Sequence, residues 1–359
     1  MIPAKTPLSA IAAGARRAAY GAAQAARIIW YTGHYAAGRR LMGPLTDPGE
    51  APYADEFAPL DRARLGEAFR ELFRADWRNI EAGVYRMPAD LARLPSPARL
   101  IARSRDYFRD AEKVARRKHA HGHSEVLTEA ARARYPRYYL QNFHYQTDGW
   151  LSDASAERYD MQVETLFTGA ASAMRRQALP FMRDAVAGRD PAALKLLDLG
   201  SGTGAFLADV KRNWPLIDAT ALDLSPAYLG KARTRLASAD PIRFVEAPAE
   251  KTGLPDASFD IVTAVYLFHE LPPAVRKEVA AEIVRVLKPG GVFIEVDTIQ
   301  YGDEPGFDIL LENFPRGFHE PYYDSYCRTD LAALFSAAGL EKTGDRIAFL
   351  TKVSSFVKR

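Results

Sequence analysis

A chain of 359 residues with 48% apolar side chains is long enough to bury one large core or two ordinary ones, which excludes a wholly disordered protein. Forty-eight lysines and arginines against 45 acidic residues leave a net charge of +3, too mild a surplus to point to nucleic acid by itself. The single cysteine, Cys327, excludes an internal disulfide and suits a reducing, cytoplasmic setting, and no apolar run reaches the roughly 18 residues of a membrane span.

Residues 1–45 read as a basic helical arm, with Lys5, Arg16, Arg17, Arg27, Arg39 and Arg40 and no acidic residue. From Ser9 to Tyr35 one helical face collects Ala15, Ala19, Ala22, Ala26 and Trp30, and another collects Arg16, Tyr20, Gln24, Arg27 and Tyr31. Three readings stay open: a helix packed on the body by its small alanine face with arginines in solvent, an interfacial helix in peripheral contact with a membrane, and an organelle transit peptide. Gly43 to Pro52 is a turn-rich linker, and the arm before it is expected to be dispensable for cofactor binding.

Residues 46–185 read as a mainly helical cap that shapes a substrate pocket. Leu65, Phe69, Phe73 and Trp77 form a helical stripe, and Arg103 to Lys118 reads as a solvated, ion-paired helix face. His119-Ala-His121-Gly-His123 alternates histidines, but it reads as an exposed loop, and no metal ligands are assigned. Pro136 to Ser152 concentrates aromatics with amides, His144 and Asp148, the mixture from which small-molecule pockets are built. An aromatic junction with locally satisfied polar tips is the alternative. Ala154 to Met182 then forms one or two helices.

From residue 186 to 359 strand and helix alternate, as a parallel sheet requires. Strands are expected at 195–199, 219–222, 243–246, 260–265 and 291–297, and helices near 205–213, 226–237 and 273–287. Residues 301–327 form a lid-like insertion without clear period, Arg328 to Gly339 restores a helix, and two strands close the chain. At the centre of this region Lys195 to Leu199 breaks at Gly200, Gly202 and Gly204 and resumes as a helix from Ala205. A strand, a glycine turn and a helix N-terminus let a ligand lie close against the backbone. Nineteen residues beyond Gly204, Asp223 closes the next strand, where a carboxylate accepts hydrogen bonds from both hydroxyls of a ribose.

Gly200-x-Gly202-x-x-Ala205 also satisfies the loose dinucleotide fingerprint. Against that reading stand Asp198, placed to orient a methionine ammonium group, the Gly-x-Gly-x-Gly alternation, and the later segments Glu246 to Glu250, Ser258 to Val262 and Val286 to Gly291. On these motifs the chain resembles the class I S-adenosylmethionine-dependent methyltransferases over about residues 190–300, and Phe268-His269-Glu270-Leu271-Pro272 looks most like the branch containing quinone C-methyltransferases. The resemblance implies an α/β fold, a Rossmann-like seven-stranded sheet with an antiparallel finish, and S-adenosylmethionine as cofactor. The cofactor residues it implies are Asp198, Gly200, Gly202, Gly204, Asp223, Leu224, Ala249, Glu250 and Tyr266. Where the family usually has an aspartate at the adenine, this chain has Pro248, so Glu250 or a backbone carbonyl must receive the adenine amino group.

Methyl transfer from a sulfonium needs alignment and a dry pocket, and a general base only if the acceptor loses a proton. His269 and His144 are the catalytic candidates, as base or as acceptor-orienting groups, with capping or packing as the alternative for His269. Tyr145, Trp150 and His319 are candidate acceptor contacts. The leading function is methylation of a small aromatic or lipophilic molecule. A nucleic-acid or protein methyltransferase and a non-catalytic cofactor-binding protein are the rivals. Nucleic acid is disfavoured because Val265-Tyr266-Leu267-Phe268 replaces the Asp/Asn-Pro-Pro-Tyr expected after the fourth strand.

Overall fold

The computed structural model describes residues 7–43, 57–92, 96–120, 122 and 124–359, so the linker expected up to Pro52 lies outside the described residues apart from Gly43. Its frame is one seven-stranded sheet: β1 (Lys195–Leu199), β2 (Asp218–Asp223), β3 (Ile242–Glu246), β4 (Phe259–Val265), β5 (Leu287–Thr298), β6 (Leu340–Ala348) and β7 (Thr351–Lys358). The strand order is β3-β2-β1-β4-β5-β7-β6, with β1 to β5 parallel and β7 antiparallel to both of its neighbours. Runs such as Leu196 to Leu199 and Phe259 to Ala264 are buried along their whole length, as strands covered on both faces must be.

Alternate side chains serve the two faces. Leu196, Ala219, Ile261 and Ile294 pack with residues of α8 (Leu179–Val186), α9 (Ala205–Asn213) and α10 (Pro226–Arg235). Leu197, Val262 and Phe293 pack with α11 (Pro273–Val286) and α14 (Leu331–Ala338). The chain reverses direction of growth between β1 and β4, and in such sheets the crevice at the strands' carboxyl ends beside that switch is where ligands bind.

The helical region precedes the sheet as α1 (Pro7–Met42), α2 (Arg62–Glu81), the one-turn α3 (Ala89–Ala92), α4 (Pro97–His119), the one-turn α5 (Glu129–Arg132), α6 (Asp153–Leu166) and α7 (Ala171–Arg176). Helix α1 reverses the packing expected for it. Ala15, Ala19, Ala22 and Ala26 are exposed, and Tyr20 and Gln24 are buried. Hydrogen bonding explains the reversal. The Tyr20 hydroxyl donates to Asp76 of α2 at 2.8 Å, and Arg27 pairs with Asp90 and Glu164 at 3.1 Å each. Asp76 is wholly buried, and it also accepts from Tyr85 and from both Nε and Nη2 of the equally buried Arg176. This charged knot ties α1, α2 and α7 together.

Helix α4 is likewise less solvated than expected, since Asp110 and Lys118 are buried, Asp110 accepting from Thr147 and Gln162. Ala154 to Met182 divides into three helices rather than one or two, and the stretch after β5 holds α12 (Asp308–Gly317) and α13 (Tyr323–Cys327). Its glycines and Pro315 mask the helical period in the sequence. No helix among the described residues is long and apolar enough to cross a membrane.

Candidate functional site

The glycine turn sits at the carboxyl end of β1, and Gly200, Gly202 and Gly204 all have positive φ, at 63°, 53° and 72°. Two of them show why. A Cβ on Gly204 would stand 2.9 Å from Leu236 and 3.1 Å from Ala232, so this glycine lets α9 approach α10. A Cβ on Gly202 would meet only the Gly200 carbonyl at 3.9 Å and would otherwise project into open space, the space a ligand needs. The turn is anchored from the helical region, because the Thr203 hydroxyl donates to Asp160 of α6 at 2.8 Å and Asp160 pairs with Arg235.

Asp223 closes the ring. Its Oδ2 accepts the Gly202 N–H at 2.8 Å and its Oδ1 accepts the Ser225 N–H at 2.8 Å, while Ser225 itself caps α10. Burial pushes the Asp223 carboxyl up to about 6, and the N–H groups of Ser225, Gly202 and Leu224 hold it from rising further. Asp198 lies beneath the turn, accepting from the Thr263 hydroxyl at 2.6 Å. Burial raises it to about 7.

Around these groups opens a cavity. Gly200, Gly202, Asp223, Leu224, Ala249 and Tyr266 are on its wall, together with Trp150. Asp198, Gly204 and Glu250 are not, and Glu250 instead receives the Tyr138 hydroxyl at 2.8 Å. Tyr138, Tyr139, Tyr159, Tyr228 and Glu270 also line it, beside Leu222, Ala247, Pro248, Val265, Leu267 and Leu271, and none of the first five was among the site residues assigned from sequence. Tyr138 and Tyr139 belong to the aromatic stretch Pro136 to Ser152. Tyr159 and Tyr228 carry no local signal, being ordinary helix residues until the fold brings them in.

The histidines take unequal places. His269 stands behind the cavity, its Nδ1 2.6 Å from Asp297 Oδ1 and its Nε2 3.4 Å from Glu270 Oε1. Burial alone would lower its pKa, but the charges of Asp297 and Glu270 override that and hold it well above the ordinary value. That direction favours the protonated imidazole, held between Asp297 and Glu270. Its neighbour Glu270 is the residue that reaches the wall. Against burial, the positive charges of His269 and His144 beside it bring Glu270 down to about 2.

His144 comes from the far side, at a left-handed φ of 55°, with its Nε2 2.8 Å from Glu320 and 3.8 Å from Glu270. Burial opposes its protonation, and the Glu320 and Glu270 carboxylates win, raising it to about 10. His144 and Tyr266, both lining cavities, have left-handed backbone at φ 55° and 56° although neither is glycine.

His144 lines a second, mainly apolar cavity, with Tyr35 and Met42 of α1, Val114 of α4, Leu166 of α6 and Phe318. Tyr159 is common to both cavities, and His144 and Glu270 meet where they adjoin. Tyr145 and His319 line neither. His319 Nε2 is 2.6 Å from Gln141 Oε1, and its carbonyl accepts the His144 N–H at 3.2 Å, so it joins the stretch before Trp150 to the stretch before α13. Trp150 stacks on Phe143 with ring centres 4.2 Å apart.

A family model described as a methyltransferase domain matches residues 197–294. Among curated proteins, the ubiquinone/menaquinone biosynthesis C-methyltransferase UbiE of Desulfotalea psychrophila is 36% identical over 41% of this chain and 56% of its own length. The demethylmenaquinone methyltransferase of Thermus thermophilus is 32% identical over 40% of this chain and 61% of its own. The chain thus spans somewhat over half the length of the curated relatives it matches. A solved methyltransferase from Aquifex aeolicus superposes with a TM-score of 0.39 and 17% identity, over 50% of this chain and 88% of the other.

Proposed function

We propose that this chain, whose residues 197–294 match a methyltransferase domain, transfers a methyl group from S-adenosylmethionine to a small lipophilic acceptor. The observation that carries the reading is the shape of the cofactor cavity. A diol-reading carboxylate and a glycine turn form one side, and an aromatic wall ending in Glu270 forms the other. Bound there, S-adenosylmethionine supplies an activated methyl group. The chain's own residues do the rest: Asp223 and Gly202 fix the nucleoside end, and the rings of Tyr138, Tyr139, Tyr159 and Tyr266 exclude water. Aromatic faces also favour a cationic sulfonium.

Glu270, ionised between two imidazolium groups, accepts a hydrogen bond from an acceptor hydroxyl and so orients it. Held down at about 2, it is a weak base, so positioning rather than proton removal is its main contribution. The relatives' names direct the first acceptor panel to quinols with prenyl tails, and the apolar second cavity offers room for a tail.

Peripheral membrane contact belongs to the same reading, with a cytoplasmic enzyme taking a lipid-dissolved acceptor. The outward side of α1 carries Ile29 and Leu41 exposed beside Arg40. Transfer of labelled methyl from S-adenosylmethionine to a demethylated quinol tests the function. Binding of S-adenosylhomocysteine without transfer to any quinol, phenol or lipid would reduce the chain to a cofactor-binding protein. Flotation with anionic vesicles, abolished by salt, is the result expected of α1.

A further inference from the structure

We infer that His144, Glu270 and Glu320 form a binding site for a divalent transition-metal cation of the zinc or manganese class, in the wall between the two cavities. The three residues come from separate parts of the chain: a tight turn before α6, the turn after β4, and the link between α12 and α13. Each offers one donor atom, and all three donors lie within 4.8 Å of one another. His144 Nε2 stands 2.8 Å from Glu320 Oε1 and 3.8 Å from Glu270 Oε1. Donors arranged tetrahedrally at about 2.1 Å from an ion are spaced by roughly 3.4 Å, so these separations bracket what an ion would set.

A second observation points to a missing ligand. Glu270 and Glu320 are only 8% and 4% exposed, yet Oε2 of each has no hydrogen-bond partner. Buried carboxylate oxygens are costly to leave unpaired; Glu320 Oε1, one of the atoms facing His144, is unpaired as well, and an ion bound there would satisfy it. Charge agrees, because an ion that displaces the His144 proton meets two carboxylates and one neutral imidazole, which together balance a divalent cation. The nitrogen and oxygen donors select against soft thiophilic metals and suit zinc or manganese.

Surrounding groups hold the donors in place. His269 stands 3.4 Å from the Glu270 oxygen that faces His144 and is itself fixed by Asp297 at 2.6 Å, the kind of outer support that orients metal-binding carboxylates. The left-handed backbone at His144, φ 55°, aims the ring inward. Three protein donors leave a coordination position open, as catalytic rather than structural sites do. Ion binding is measured without turnover, so it stands or falls independently of methyl transfer.

The test uses the full chain, stripped with chelator and titrated calorimetrically with Zn²⁺ and, separately, with Mn²⁺. One ion per chain is expected for the wild type, with binding weakened by roughly tenfold to a hundredfold or more in Glu320→Gln and in His144→Ala. S-adenosylhomocysteine affinity should stay within about threefold in both, which certifies the fold. Substituting His119, His121 and His123 together by alanine should leave the ion bound. Absence of binding in the wild type would reduce the cluster to a proton-sharing network and overturn the proposal. So would unchanged affinity in the near-isosteric Glu320→Gln, or loss of the ion in the triple variant. If His144→Ala fails to fold, Glu320→Gln decides alone.

Discussion

Replacing Asp223 by alanine should weaken S-adenosylhomocysteine binding by about 2–4 kcal/mol, a factor of roughly thirty to a thousand. A carboxylate has about four acceptor positions. Here the N–H groups of Gly202 and Ser225, both at 2.8 Å, occupy one position on each oxygen, and the two hydroxyls of a ribose take the remaining positions against the weaker Leu224 N–H. Each hydrogen bond to a charged group contributes about 1.5–3 kcal/mol, and water in the emptied site recovers part of the loss. The same substitution frees two backbone N–H groups, so the turn itself should soften, with a fall in unfolding free energy of the order of 1–3 kcal/mol. The Asp223→Asn variant retains one acceptor oxygen and should fall between.

Calorimetry with S-adenosylhomocysteine and urea unfolding on the same samples separate the two effects. The pH dependence follows from the raised carboxyl. The folded value of about 6 exceeds the ordinary 3.8, so in the empty protein the charged form is disfavoured. Ribose hydroxyls donate to the charged form, and affinity should therefore fall as pH drops through about 6. A variant binding within about threefold of wild type, or a flat profile from pH 5 to 8, would refute the diol assignment.

Arg176→Met should lower stability by about 3–5 kcal/mol in urea unfolding, since it strands the Asp76 carboxylate with only the Tyr20 and Tyr85 hydroxyls; a loss under about 1 kcal/mol would count against the buried knot. Deleting residues 1–42 should leave S-adenosylhomocysteine affinity nearly unchanged, because α1 contributes nothing to the cofactor cavity, but should lower the urea midpoint by exposing Asp76 and Glu164. In the ion-free protein His144, raised from 6.5 to about 10, contributes stability that is fully present below pH 6.5 and lost as pH climbs through about 10. Unfolding measured across that interval should show a steeper decline in wild type than in His144→Gln.

The parallel sheet was legible almost residue by residue, because buried strands announce themselves as short apolar runs and the glycine turn punctuates the first of them. Strand β1 and helix α9 begin and end where the pattern placed them, and Asp223 and Gly202 stand where the spacing implied. The acceptor side was legible only as a neighbourhood. Nothing local distinguishes Glu270 from His269 beside it; the fold decides which one faces the cavity, by giving His269 to Asp297. Glu320 was hidden in the same way behind His319. Helix α1 misled for a related reason. Its small-residue face suggested close packing, whereas its partners were Asp76, Asp90 and Glu164, charged groups distant in sequence that draw the tyrosine and arginine side inward.

The shared wall at Tyr159 has a kinetic consequence. On the proposed reading the cofactor and the acceptor's tail take separate cavities that share only Tyr159, so neither ligand need cross the other's chamber to reach its seat. A random order of addition follows, with a ternary complex assembled from either side. Spent cofactor should then compete with fresh cofactor alone, and a long-tailed product should leave by its own door without waiting for the nucleoside to go. Saturating acceptor would not trap the demethylated cofactor, and turnover under such conditions would be set by whichever of the two exits is slower.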